Sequence, residues 1–115
     1  MLVFVYGTLK TGHRLHGHLA GGTFLGDAIT EPGYRLFKLG WYPGLVEWQS
    51  GVAVRGEVWE VSDQTLAVLD DVEGVDSGLY ERRVVRLAGS FKQSTVETYL
   101  YLGDISNAED CGNGW

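Results

Sequence analysis

Ten residues, Val52 to Val61 (VAVRGEVWEV), constrain the fold more than any other stretch of the chain. Val52, Val54, Gly56, Val58 and Glu60 fall on one side, and Ala53, Arg55, Glu57, Trp59 and Val61 on the other, as in a strand with its period of two. Ser62-Asp63 follows at once, and either residue can cap a helix by accepting one of its unpaired N–H groups. The helix is expected to run to about Glu73. Gly74 then stops it, because glycine enters the left-handed conformation at a helix end without penalty.

Around this strand-helix switch the chain reads mostly as strands. Leu2 to Tyr6 is a continuous apolar run of the kind a buried strand carries. Thr23 to Thr30, Tyr34 to Leu39, Leu45 to Trp48, Leu79 to Leu87 and Thr95 to Leu102 also have strand character. Glu31-Pro32-Gly33 and Gly40-Trp41-Tyr42-Pro43-Gly44 punctuate them as turn and loop. Thr11 to Ala20 is His-rich and has room for a short helix closed by Gly21-Gly22. Six or seven strands against one or two helices do not suit a doubly wound sheet. The expected class is α+β: a small mixed, mostly antiparallel β-barrel-like sheet with one or two packed helices. With 17 Gly and 2 Pro, the connections are turns rather than Pro-rich linkers. One domain over residues 1–103 and a C-terminal tail over 104–115 are expected.

Bulk properties exclude several functions. The 115 residues are 44% hydrophobic and 21% charged, enough for one modest core. Net charge is −6, and the clustered Arg82, Arg83 and Arg86 have Glu81 directly beside them, so no basic stripe for nucleic acid is expected. Cys111 is the one cysteine, which rules out an intrachain disulfide and fits a free thiol in a reducing compartment. The apolar run after Met1 is too short for a signal peptide and lacks a basic start. No run approaches the ~18 apolar residues of a membrane helix. A cytoplasmic protein with no membrane or nucleic-acid partner is expected.

Glu73 stands out on chemical grounds. On a helical wheel at ~100° per residue with Leu66 at zero, Leu69 lies near −60°, Val72 near −120°, Val68 near −160° and Glu73 near −20°. Asp71 lies near 140°, in solvent, and Asp70 near 40°, on the border. Glu73 thus falls inside the apolar arc, in the last turn, where the helix dipole disfavours a carboxylate. Burial and dipole both penalise its charged form and raise its pKa, which suits a general acid or base near neutral pH. A frayed helix end, with Glu73 turned outward or paired with Arg82 or Arg83, is the competing reading.

Tyr6-Gly7-Thr8-Leu9 is the second candidate. A buried strand ending in glycine can turn sharply, and successive N–H groups after it form a concavity for an anion. Lys10 adds charge at the rim. A plain tight turn capped by Thr8 fits the same residues. His13, His16 and His18 lack the further ligands of a zinc set, so no metal is expected. No G-x-S-x-G elbow, G-x-G-x-x-G or phosphate loop is present. Trp41 and Tyr42 are pocket or core candidates. Tyr80 and Arg82, two apart on one strand, share a face.

VFVYGTLK (Val3 to Lys10), YPGLV (Tyr42 to Val46), VRGEVWEV (Val54 to Val61) and LDDVEG…YERR (Leu69 to Arg83) together resemble the gamma-glutamylcyclotransferase-like superfamily, in particular its small gamma-glutamylamine cyclotransferase branch. The resemblance spans about Leu2 to Leu102. It implies a β-barrel-like fold and release of 5-oxoproline from a gamma-glutamyl amine or gamma-glutamyl amino acid. It implies Glu73 as the catalytic acid/base, and a substrate α-carboxylate held on the N–H groups of Gly7, Thr8 and Leu9 with Tyr6 beside them. Tyr80 or backbone N–H groups would stabilise the oxyanion. No cofactor or metal is implied, the partner is a small gamma-glutamyl molecule, and a homodimer stays open. Thr11 to His18 departs from the Asn-His pairing of the amine branch, which leaves the leaving amine open. The alternatives are a non-catalytic module of the same fold that binds a small carboxylate, and an interaction protein using Trp41, Trp48 and Trp115.

Overall fold

The alternating run becomes the partner of two strands. In the computed structural model, which describes residues 1–6, 19, 21–39 and 42–112, β5 (Arg55–Glu60) lies antiparallel between β1 (Leu2–Val5) and β2 (Thr23–Ile29). Val54, Gly56 and Val58 are buried, and Arg55 is exposed. Glycine at 56 is required by contact, because a Cβ there would strike the Val5 carbonyl and the Phe4 ring.

The remaining strands are β3 (Tyr34–Lys38), β4 (Pro43–Glu47), β6 (Tyr80–Val84), β7 (Glu97–Tyr101) and β8 (Glu109–Gly112), and the one α-helix among the described residues is α1 (Asp63–Val72). The sheet order is β2-β5-β1-β7-β4-β3-β8, with β6 on β7. All pairings are antiparallel except β1 with β7 and β4 with β7. The result is a curled, mostly antiparallel half-barrel of α+β class, as the strand-rich pattern implies.

Three sequence expectations change. Leu79 to Leu87 is not one strand. β6 stops at Val84, and the chain then leaves β7: Glu31 N–H donates to the Arg86 carbonyl and Ala88 N–H to the Ile29 carbonyl, each at 2.9 Å, while Thr30 bridges Leu87. This hand-over to the end of β2 curls the sheet and leaves Val84 60% exposed beside the buried Val85. β4 begins at Pro43, inside the expected loop; proline is tolerated as the first residue of a strand. Finally, the segment expected as a tail contains β8, which pairs with β3, and Arg35 Nη1 reaches Asp110 Oδ2 at 2.6 Å across the pair. The expected helix within Thr11 to Ala20 and the three histidines lie outside the described residues, apart from Leu19.

Two cores flank the sheet. On the inside, Phe4, Tyr6, Leu36, Leu45, Val58, Val96 and Leu100 pack together with Tyr34 and Leu87. On the outside, Val3, Val5, Tyr80 and Tyr99 receive Leu66 and Leu69 of α1. Strands β1 and β7 are therefore covered on both faces, which explains why Leu2 to Tyr6 reads as an unbroken apolar run rather than an alternating one. No helix among the described residues is long and apolar enough to cross a membrane.

Candidate active site

A fork in the sheet lies at the centre of the site. Strand β7 is paired along its whole length by β6, from Tyr80↔Tyr101 to Val84↔Glu97, so its other edge must serve both remaining neighbours. β1 takes the start of that edge (Val3↔Glu97) and β4 takes the end (Leu45↔Leu100). Both run parallel to β7, so the end of β1 and the start of β4 compete for the same level and must diverge. The Tyr6 side chain closes the gap. Its hydroxyl donates to the Tyr99 carbonyl at 2.5 Å and accepts the Leu45 N–H at 3.3 Å. A phenol thus joins β7 to β4 where backbone pairing fails. Gly7, Thr8 and Leu9, the expected anion cradle that follows Tyr6, lie outside the described residues.

Glu73 arrives at this fork from the outer face. Ser62 caps α1, accepting the Thr65 N–H on its Oγ at 3.1 Å. At the other end Gly74 adopts φ 69°, its N–H donates to the Asp71 carbonyl at 3.1 Å, and the Val75 N–H donates to the Asp70 carbonyl at 3.0 Å. These are the two bonds of a Schellman motif, and they make Glu73 the last residue before the reversal. The loop then folds on itself, with Leu79 N–H donating to the Gly74 carbonyl at 3.1 Å, and delivers Tyr80 next to the helix end. The apolar face of α1 is narrower than the wheel arc: Leu66 and Leu69 are buried, whereas Val68 is 48% exposed.

Glu73 is half-buried, and loss of hydration pushes its carboxyl up from 4.5 to about 7. Among the described residues no cation is paired with it. Arg82 is engaged by Asp70 (Nε–Oδ1 3.1 Å) and Glu97 (Nη1–Oε1 3.4 Å), and Arg83 by Glu47 and Glu81. Burial, with the Glu73 charge as a further cause, raises the phenols of Tyr6, Tyr80 and Tyr99. The carboxylate therefore lies within electrostatic reach of both faces of the sheet: Tyr6 belongs to the inner core, Tyr80 and Tyr99 to the outer one.

Each of these phenols has already placed its one proton. Tyr6 donates to the Tyr99 carbonyl, Tyr80 to the Pro43 carbonyl at 2.8 Å, and Tyr99 to Asp70 Oδ1 at 2.7 Å. Tyr80, expected as a substrate contact, is buried and anchors the start of β4. Tyr42 precedes Pro43, whose carbonyl accepts the Tyr80 hydroxyl. Trp41 lies outside the described residues, and Trp48 packs on Phe37 with ring centroids 5.4 Å apart. Asp70 and Tyr99 were not singled out by sequence. The signal for Tyr99 was available, since alternation in TVETYLYL puts it on the face of Glu97 and Tyr101, opposite Val96 and Thr98. Among the described residues no cluster of His, Cys, Asp and Glu could hold a metal ion.

Residues 3–114 match the sequence profile of the family described as gamma-glutamyl cyclotransferase, AIG2-like. A Vibrio cholerae relative is 50% identical over 74 residues; the match covers 64% of this chain and 63% of that protein, a little under two thirds of its length. The gamma-glutamylcyclotransferase family protein YtfP of Escherichia coli K12 is 34% identical over 86 residues, covering 75% of this chain and 73% of its own. The solution structure of YtfP superposes with a TM-score of 0.72 at 32% identity, over 99% of this chain and 94% of that one. A crystal structure of an AIG2-like protein from Mus musculus gives 0.71 at 30% identity, over 89% and 76%. The chain therefore belongs to the gamma-glutamyl cyclotransferase, AIG2-like family.

Proposed function

We propose that the protein is a cyclotransferase that releases 5-oxoproline from a gamma-glutamyl amine or gamma-glutamyl amino acid, with Glu73 as general acid/base. The observation that carries this reading is Glu73 itself: a half-buried carboxyl at a helix end, without a paired cation among the described residues and poised at about 7. Nothing in the stability of the fold calls for such a group, and perturbed carboxyls of this kind mark catalytic positions.

The chemistry suits one titrating group. The substrate's α-amine and γ-carbonyl belong to the same molecule, so closure to a five-membered lactam is intramolecular and gains a high effective molarity once the reactive rotamer is held. Glu73, ionised, takes a proton from the α-ammonium. The freed amine forms the new C–N bond at the γ-carbon, and the tetrahedral oxyanion collapses as the old C–N bond breaks. Glu73 returns the proton to the departing amine, and the second proton still carried by the attacking nitrogen is released as the lactam N–H forms and is taken up by the freed amine as its ammonium. A pKa near 7 serves both transfers. Because the Tyr80 proton is engaged by the Pro43 carbonyl, the reading favours backbone N–H groups as oxyanion donors. Gly7, Thr8 and Leu9, which follow Tyr6 in sequence, are the candidates for these and for the α-carboxylate.

The test is direct. A panel of gamma-glutamyl amines and dipeptides is incubated with the wild type and with Glu73→Gln, and 5-oxoproline is measured by mass spectrometry. Product from the wild type alone is expected. Turnover that survives Glu73→Gln overturns the assigned role, and absence of product from every substrate points to a binding module of the same fold.

A further inference from the structure

Among the described residues three strands have a free side, β2, β8 and β6, and the three edges are not equally protected. β2 and β8 each meet their neighbour with a register shift, at Phe24/Gly26 and at Leu36/Phe37, and such irregularities turn an edge away from new partners. β6 runs in unbroken register from Tyr80↔Tyr101 to Val84↔Glu97. The Leu102 N–H donates to the Leu79 carbonyl at 3.1 Å and the Val85 N–H to the Val96 carbonyl at 2.9 Å, so Leu79, Glu81, Arg83 and Val85 turn their backbone groups towards β7. Those of Tyr80, Arg82 and Val84 point the other way and find no backbone partner among the described residues. Glu81, Arg83 and Val84 are exposed along this edge.

We infer that β6 is the seam of a homodimer: it pairs antiparallel with β6 of a second copy about a twofold axis at Arg82, joining the two sheets into one. The register follows from two demands. Outward backbone groups must meet outward backbone groups, which leaves twofold centres at Glu81, Arg82 or Arg83. A centre at Glu81 sets that carboxylate against its own copy, and a centre at Arg83 does the same with two guanidinium groups; like charges directly opposite destabilise a strand pair. The centre at Arg82 uses every outward residue, Tyr80 against Val84, Arg82 against Arg82 and Val84 against Tyr80, each pair exchanging both of its bonds. It also sets Glu81 opposite Arg83 on both sides of the axis, at the positions between hydrogen-bonded pairs where side chains come closest.

The charges on the edge suit this pairing. Arg83 is only loosely engaged in its own chain, reaching Glu47 at 3.5 Å and Glu81 at 3.9 Å. The two Arg82 side chains that meet at the axis are each compensated at home, by Asp70 at 3.1 Å and Glu97 at 3.4 Å. Charged residues commonly keep an edge strand from pairing, and they do so when the charges that meet are alike. The order Glu81-Arg82-Arg83 is instead complementary to its own reverse about Arg82. A seam of one short strand is small beside a standard interface, so the dimer is a weak one, with a Kd on the order of 10 μM.

The experiment is analytical ultracentrifugation of the full chain from about 1 to 500 μM, a range that brackets such a Kd, with circular dichroism to confirm that each variant is folded. The wild type is expected to pass from monomer to dimer. Glu81→Arg and Arg83→Glu each set like charges across the seam and are expected to raise Kd by at least about tenfold. An equimolar mixture of the two variants is expected to regain wild-type affinity, as is the double variant Glu81→Arg/Arg83→Glu, because opposite charges face each other again. Glu81→Arg brings the net charge of −6 closer to zero and Arg83→Glu takes it further away, so a general charge effect would move the two in opposite directions. A wild type that stays monomeric overturns the inference and leaves the edge to a strand of another protein. A dimer that neither single variant weakens, or one that neither the mixture nor the double variant restores, overturns it as well. None of these readouts depends on turnover.

Discussion

Replacing Glu73 by Gln should make the protein more stable while abolishing its proposed activity. The native carboxyl sits at about 7 against an ordinary 4.5, so folding favours the protonated form. Between those two values the native chain holds more protons than the unfolded chain, and stability falls as pH rises through the window. The shift of about 2.5 units corresponds to about 3 kcal/mol of strain from the charge, fully present above pH ~8 and absent below pH ~4. Glutamine keeps the shape of the protonated acid and never ionises. At roughly 4 °C per kcal/mol for a domain of this size, the variant should melt about 10 °C higher than the wild type at pH 8, and at the same temperature near pH 4. Urea melts read by circular dichroism across pH 4 to 8 measure the difference directly. Equal stability at pH 8, or a gain that does not vary with pH, would refute the claim that Glu73 is held in a poorly hydrated site.

The same pKa sets the rate profile. Because Glu73 accepts a proton only when ionised, kcat/KM should rise tenfold per pH unit on the acid side and level off near pH 7, measured as 5-oxoproline formed. Tyr6→Phe removes the hydroxyl that joins the Tyr99 carbonyl to the Leu45 N–H; two buried backbone groups lose their partner, and the urea midpoint should fall by the equivalent of about 1–3 kcal/mol at unchanged m. Ser62→Ala removes the cap at the opposite end of α1 from Glu73 and should cost about 1 kcal/mol in the same melts, with kcat unaltered.

What sequence reveals here is what local periodicity encodes. The alternation of Val52 to Val61, the unbroken run Leu2 to Tyr6 and the Ser62–Gly74 helix signals mark β5, β1 and α1, because burial on one or two faces writes itself into consecutive residues. β8 is invisible in EDCG because its pairing with β3 rests on backbone bonds, the Arg35–Asp110 contact and one partly buried apolar residue, Cys111, which is too little to write a periodic pattern. The break after Val84 is hidden because Leu79 to Leu87 keeps strand-like residues while its hydrogen-bond partners change from β7 to the end of β2. At the site, the wheel places Glu73 toward the apolar side, since three residues of one helix decide that. The wheel leaves Asp70 on the border. Only Tyr99 and Arg82, brought from other strands, turn it inward, and such a contact leaves no trace in the helix. The fork is likewise a consequence of pairing between residues far apart, Tyr6 and Tyr99 being 93 positions from each other.

That fork also gives the phenol at position 6 a role as a gauge. Backbone pairing holds strands at one fixed spacing, whereas here the separation of β1 from β4 is set by the reach of a rigid ring from its own Cα to its hydroxyl. The spacing between the end of β1 and the start of β4 is thus written into one side chain of the sheet rather than into backbone pairing. A residue of different reach at position 6 would have to reset that spacing or leave the Leu45 N–H and the Tyr99 carbonyl unjoined.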